Sequence, residues 1–281
     1  MWRDLLSENL EKADVAIFGI ACDENCSIGR GTADAPQKFR ECSEYLPPYT
    51  ATGEKLNPIM WDLGDVTEFN YEQVLQKMTL CQKKKCTLIM GGDHSVSILS
   101  QRAFRQLNSG KIGLIHIDAH ADICDVYMGS KNSHACVNRR ALENGYSNED
   151  LSLIGIRSFE DQEVEYLNNN PVLVIRADEI HKSGTEAVLD TVFEKYSTYD
   201  KIYLSFDIDA VDPAYAPGTG TPEPFGLTNL MVLELLKGIV SQLPVKVLDV
   251  VEVSPPLDVN NITTWLALKY ILEIIKIVDN K

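Results

Sequence analysis

Asp118, His120 and Asp122 stand at alternate positions just after the apolar run 112–115. In an extended backbone alternate side chains share a face. The spacing therefore predicts one imidazole and two carboxylates projecting the same way. Carboxylates so gathered are costly unless paired, hydrogen-bonded or bound to a cation, and the pattern reads as a rake of metal ligands. The same spacing recurs at Asp207 and Asp209, behind the run 202–206, and His94 follows the run 87–90 within Gly91-Gly92-Asp93-His94-Ser95. These six residues exceed what a tetrahedral zinc takes, and suit two divalent cations about 3.5–4 Å apart that share carboxylates. Oxygen-rich ligation without a thiolate favours Mn²⁺ over Zn²⁺. The chemistry such a pair supports is hydrolysis.

The elements that must position these residues alternate along the chain. Apolar runs at 14–19, 59–63, 87–90, 112–115, 151–156, 172–175, 202–206 and 245–251 read as strands. Helical patterns between them include 37–45 opened by Pro36, 71–84 capped by Asn70, 137–143, 229–242 capped by Thr228, and 262–278. Alternation of this kind implies about eight parallel strands joined by right-handed crossovers, with helices on both faces. A closed barrel would alternate in the same way. In either case the polar residues fall at the carboxyl ends of strands, where ligands bind in α/β folds. Glu252 joins them at the end of the run 245–251. His116 has the parity of Asp118 but lies a pleat deeper, which reads as packing behind the ligands. Asp212-Pro213 reads as a turn, and His181 as a loop residue without a role.

The bulk properties limit the partners. A net charge of -15 disfavours nucleic acid and anionic membrane surfaces and fits a small cationic molecule. Seven cysteines without metal-finger spacing read as reduced thiols of a cytoplasmic protein. The N-terminus shows no apolar leader and no later run is long enough for a membrane span. No Pro-, Gly- or Ser-rich linker divides the chain, so 1–281 reads as a single domain.

Three motifs then carry a resemblance: Gly91-Gly-Asp-His-Ser95, Asp118-Ala-His-Ala-Asp122 and Ser205-Phe-Asp-Ile-Asp-Ala-Val-Asp-Pro-Ala214, in that order. The chain resembles the ureohydrolases, the family of arginase and agmatinase, over about residues 19–275. Asp62-Leu-Gly-Asp-Val66, Asn138-Arg-Arg-Ala141, Gly218-Thr-Gly-Thr-Pro-Glu-Pro224 and Val251-Glu-Val-Ser-Pro-Pro256 are closest to the agmatinase branch. The resemblance implies an open three-layer α/β/α fold, a doubly wound sheet of eight parallel strands, and two Mn²⁺ per subunit. It places the metal on His94, Asp118, His120, Asp122, Asp207 and Asp209, a proton shuttle at His134 on a flexible loop, and the guanidinium grip at Glu252. It also implies a homo-oligomer, a trimer or hexamer.

The expected reaction is hydrolysis of agmatine to putrescine and urea, a step of polyamine biosynthesis. A guanidinium is resonance-stabilised and always charged, so attack on its carbon needs a metal-activated nucleophile, and a carboxylate fork such as Glu252 would hold it in place. Asp125, Glu160 and Glu163 are candidates for the distal amine. Arg139 and Arg140, which would favour a carboxylate tail, read as a helix face. The alternatives are a ureohydrolase acting on arginine, guanidinobutyrate or formiminoglutamate, or a single-zinc deacetylase-like enzyme. Ala135-Cys136, Phe225, Leu257 and Val259 depart from the agmatinase pattern and are expected near the substrate tail.

Overall fold

Continuous runs of β-branched and aliphatic residues with no polar alternation suit strands covered on both faces, and six of the runs form such strands, while residues 60–66 and 173–176 form half-buried strands at the two edges of the sheet. A computed structural model describes residues 5–7, 10–56 and 60–281. The start of the expected leader-free N-terminus and Ile59 of the expected second strand lie outside the described residues. In chain order the elements are β1 (Val15–Ile20), α1 (Ala35–Ser43), β2 (Met60–Val66), α2 (Tyr71–Cys81), β3 (Cys86–Gly91), α3 (Val96–Leu107), β4 (Ile112–Ile117) and α4 (Val137–Glu143). The second half comprises β5 (Leu151–Ile156), α5 (Asp161–Asn169), β6 (Leu173–Arg176), α6 (Ala177–Tyr196), β7 (Lys201–Asp207), α7 (Asn229–Gln242), β8 (Val245–Val251) and α8 (Ile262–Asp279).

The eight strands make one open parallel sheet in the order β2-β1-β3-β8-β7-β4-β5-β6, so the barrel is excluded. The pleat divides the core in two. Ile17, Leu88, Ile115, Leu204 and Leu248 face α1, α6, α7 and α8. Ala16, Ile89, Leu114, Tyr203 and Val247 face α2, α3, α4 and α5. The result is the expected three-layer α/β/α arrangement.

Local chemistry sets the ends. Asn70 Oδ1 accepts the Gln73 N–H (3.2 Å) and Thr228 Oγ1 accepts the Met231 N–H (3.2 Å), so both expected caps are formed. Strand β2 runs past Gly64 to Val66 instead of stopping at residue 63. Its register against β1 shifts between Ile17 and Gly19, and Gly64 takes φ 68 inside the irregularity. Helix α2 ends at Cys81, three residues before the periodicity suggests. His181 lies on α6, not in a loop, and its Nε2 meets the Gly226 carbonyl at 3.0 Å. Among the described residues no helix is long and apolar enough to cross a membrane.

For the site, the consequence lies in four neighbouring strands. β3, β8, β7 and β4 are adjacent in that order, and strands about 4.8 Å apart bring their four carboxyl-end loops within about 15 Å. His94 follows β3, Glu252 follows β8, Asp207 ends β7, and Asp118 follows β4.

Candidate metal centre and cleft

His94 is fully buried and sits at the centre of the cluster. Its Nε2 lies 2.9 Å from Ser205 Oγ, which in turn lies 2.8 Å from Asp249 Oδ1. Asp249 is a buried carboxylate that also accepts Ser97 Oγ (2.6 Å), Tyr203 OH (2.6 Å) and the Phe206 N–H (3.1 Å). Because the Ser205 proton goes to Asp249, the Ser205 oxygen is left to accept from His94 Nε2–H. The Nδ1 lone pair then faces outward. It meets Asp118 Oδ2 at 3.0 Å, Asp207 Oδ2 at 3.0 Å and Asp122 Oδ2 at 3.2 Å.

That convergence is the test of fit for a cation. His94 Nδ1 and Asp118 Oδ2 are buried and lack a hydrogen-bond partner, although lone-pair atoms surround them. One proton cannot satisfy three carboxylate oxygens and an imidazole nitrogen, whereas a divalent ion can. On the other side, His120 Nδ1 lies 3.1 Å from Asp209 Oδ2 and 3.4 Å from Asp118 Oδ1. Two groups can therefore hold a metal ion: His94, His116, Asp118 and Asp122, and then Asp118, His120 and Asp209. Asp118 belongs to both. His116 is closer to the chemistry than its depth in β4 implies. It stacks on His94 with ring centroids 4.7 Å apart, and its Nε2 is 2.9 Å from Asp118 Oδ2.

The protonation pattern shows how much positive charge the cluster demands. Burial disfavours charge on His94 and His120, yet the surrounding aspartates raise both far above the ordinary imidazole range. Burial and neighbouring aspartates push Asp207 and Asp209 upward. Asp118 is lowered because His116, His120 and His94 outweigh its burial. A cation in the cluster would take the place of these protons.

The backbone does not deliver this geometry through the pleat. β4 ends at Ile117, so Asp118, His120 and Asp122 are not consecutive extended positions. Instead Asp118 Oδ1 accepts the His120 N–H (2.6 Å), and Asp122 adopts φ 48. The side chains converge because the chain turns, which corrects the expectation from alternation. Asp207 and Asp209 meet in the same way, Asp207 Oδ1 accepting the Asp209 N–H at 2.8 Å. Glu252 also sits in the left-handed region, at φ 63. Non-glycine residues held there cost of order 1–3 kcal/mol each and cluster at functional sites.

His134 starts a short 3-10 turn capped by Ser133 and is buried, which corrects the expected flexible loop. Its Nδ1 is 3.0 Å from Glu252 Oε1 and its Nε2 is 2.8 Å from Ser27 Oγ. Burial works against its charge, but Glu252 raises its pKa to about 9. Glu252 Oε1 also accepts the His94 N–H (2.8 Å), so the fork expected of this carboxylate has one oxygen already committed. Oε2 remains to face a ligand.

A cleft of about 370 Å³ opens over these residues. It is lined by Asp122, His120, Asp207, Asp209, His134 and Glu252, and outside them by Ser27, Tyr127, Phe159, Glu160 and Glu223. Among the described residues no Lys or Arg lines it. Of the three candidates for a distal amine, Glu160 and Glu163 both line the cleft, Glu160 standing at the N-cap of α5 in a capping box with Glu163. Glu163 caps α5, accepting the Glu160 and Ile123 N–H groups at 2.9 Å, and burial raises its pKa to about 7. Asp125 is paired with Arg140 at 2.9 Å and does not line the cleft. Arg140 is a buried clamp on the Asp125 and Lys131 carbonyls, whereas Arg139 lies over Tyr166 on the helix face. Among the departures from the agmatinase pattern, Ala135 lines the cleft, while Phe225, Leu257 and Val259 do not. Phe225 holds φ 64, a conformation that suits the glycine usual there.

Ser27, Tyr127, Glu223, Ser205 and Asp249 belong to the site without a motif that marks them as ligands. Ser27 had one usable signal, since it lies in the loop after β1 on the same sheet edge. That loop is drawn in because Gly92 has no side chain. A Cβ there would fall 1.8 Å from the Cys22 carbonyl oxygen, which instead accepts the Asp93 N–H at 3.0 Å.

Comparisons with known proteins agree with this geometry. The model of the Arginase family matches residues 13–276. Guanidinobutyrase of Pseudomonas aeruginosa is 34% identical over 95% of this chain and 86% of its own. The human mitochondrial guanidino acid hydrolase is 32% identical over 98% of this chain and 81% of its own. The crystal structure of the agmatine ureohydrolase of Thermoplasma volcanium superposes with a TM-score of 0.84 at 33% identity, covering 96% of this chain and 91% of that one.

Proposed function

This chain belongs to the arginase family and is an amidinohydrolase, a metal-dependent hydrolase of guanidino C–N bonds; from that premise we propose that it cleaves agmatine to putrescine and urea with two Mn²⁺ ions. The observation that carries the substrate is the lining of the cleft. Glu160 and Glu223 stand outside the metal cluster and among the described residues no Lys or Arg stands with them, so a dicationic substrate is favoured and a carboxylate tail is not.

His94, Asp118, Asp122 and Asp207 would hold one ion, and His120, Asp118, Asp207 and Asp209 the other. Bound there, the ions supply Lewis-acid activation of water as a nucleophile. The protein does the rest. Glu252 meets the guanidinium through Oε2 and fixes its carbon over the cluster. His134, protonated near neutral pH through its bond to Glu252, gives its proton to the departing amine. Glu160 takes the distal ammonium. A homo-oligomeric assembly, a single domain over 1–281, a role in polyamine biosynthesis and a cytoplasmic location belong to the same proposal.

A second substrate reading has a specific basis, because two of the relatives named above act on guanidino acids by name. Urea release from agmatine, 4-guanidinobutyrate and arginine, measured with added Mn²⁺, separates the two. Agmatine should give the highest kcat/KM, and Glu160→Gln should lower it mainly through KM. A preference for 4-guanidinobutyrate defeats the agmatine reading while leaving the reaction class intact.

A further inference from the structure

Both ring nitrogens of His134 are occupied, and this limits how the imidazole can exchange protons. Nδ1 is held by Glu252 Oε1 at 3.0 Å. Nε2 has two partners from one residue, the Ser27 hydroxyl at 2.8 Å and the Ser27 backbone N–H at 3.2 Å. Ser27, half-buried, and His134, mostly buried, both line the cleft. The Ser27 hydroxyl therefore joins Nε2 to the lining of the cleft.

Ser27 is fixed in that place. The preceding Asn25 N–H donates to the buried Asp93 carboxylate (3.0 Å), its side-chain amide donates to Ser95 Oγ (3.1 Å), and its carbonyl accepts the His134 N–H (3.2 Å). The two Ser27 donors differ in kind. A backbone N–H only donates, so it favours the state in which Nε2 carries no proton, opposing Glu252. A hydroxyl both donates and accepts. It can give its proton to a bare Nε2 or accept from Nε2–H, and among the described residues it is the one group in contact with Nε2 that can do both.

We propose that Ser27 is the relay through which His134 exchanges protons with the cleft. As the Ser27 O–H bond breaks toward Nε2, the oxygen takes a proton from a buffer acid or hydronium in the cleft. One proton reaches the imidazole and the hydroxyl is regenerated. Ser27 acts through His134, not on the substrate, and is a positioning residue in that sense. The inference rests on His134 as the proton carrier proposed above.

The test uses the full-length, Mn²⁺-loaded protein with agmatine and the variants Ser27→Ala, Ser27→Thr and His134→Asn. Both Ser27 variants keep the backbone N–H that orients the ring, so a difference between them reports the hydroxyl. The relay predicts that Ser27→Ala lowers kcat about tenfold or more, leaves KM within about twofold, and makes kcat rise with buffer concentration. Ser27→Thr should restore kcat to within about threefold. In the metal-free protein the ¹⁵N signal of His134 Nε2 should move in Ser27→Ala and stay in place in Ser27→Thr. If Ser27→Ala retains wild-type kcat while His134→Asn loses it, the relay is overturned and the role of His134 stands. A higher KM with kcat unchanged overturns it too, since Ser27 would then only shape the cleft. A fully active His134→Asn removes the premise itself. Should Ser27→Ala unfold, an inactive, correctly folded Ser27→Thr would count against the relay and an active one for it.

Discussion

The two edges of the sheet solve opposite problems with the same kinds of residue. At the amino edge, charged groups are satisfied one by one. Lys84 Nζ donates to the Ala13 carbonyl (2.8 Å), Lys195 Nζ to Leu151 (2.6 Å) and Lys281 Nζ to Leu243 (3.0 Å), while Lys85 pairs with Asp14 at 3.1 Å. At the carboxyl edge, carboxylates and imidazoles are crowded together, His94 Nδ1, Asp118 Oδ2 and both His116 ring nitrogens are among the buried polar atoms without a hydrogen-bond partner, and Asp122 and Glu252 hold left-handed backbone. The first edge stabilises the fold. The second is organised for a bound cation and a substrate, and without a cation it collects protons in their place.

The strongest way to break this contrast is to remove a group that serves both halves of the cluster. Asp118→Ala, which removes the ligand common to both groups, should reduce urea release to the level of metal-stripped protein and lower retained metal, as read by elemental analysis. His134→Asn comes next, with an expected loss of about 10²–10⁴ in kcat, since it removes a general acid without touching the metal ligands. This variant also carries a pH signature. The folded pKa of about 9 lies above the ordinary 6.5, so the pairing with Glu252 stabilises fully below about pH 6.5 and is lost as pH rises through about 9. Urea-denaturation midpoints at pH 6.5 and 9.5 should fall further for wild type than for His134→Asn.

Smaller effects sharpen the same comparison. Ser205→Ala frees His94 Nε2 from the Asp249 network and should weaken metal binding by about 10–100-fold, measured by titration. At the other edge, Lys195→Met should cost about 1–2 kcal/mol of stability in denaturant unfolding with urea release unchanged. Equal losses of activity from Ser205→Ala and Lys195→Met would erase the distinction between the edges.

The difference between the edges also explains what could be read from the sequence. β5 and β8 begin and end where their apolar runs do, because a doubly covered parallel strand leaves an unbroken hydrophobic signature. The clustered candidates were legible because His94, Asp118, His120, Asp122, Asp207 and Asp209 are polar residues placed where strands end. The way they converge was not, since the turns at Asp118–His120 and Asp122 come from backbone conformations that side-chain alternation does not encode. Ser205 and Asp249 lie inside strands, where a hydroxyl or carboxylate carries no periodic signal and acquires its role only when β7 and β8 pair. Ser27 is more distant still. Its place beside His134 depends on two loops meeting over Gly92, a contact between segments about a hundred residues apart.

The central claim is that the carboxyl edge is shaped around two cations sharing Asp118. Metal content per chain, determined by elemental analysis after saturation with Mn²⁺ and removal of excess, tests it most directly. Two ions per chain are expected; one ion or none at saturation would contradict the account.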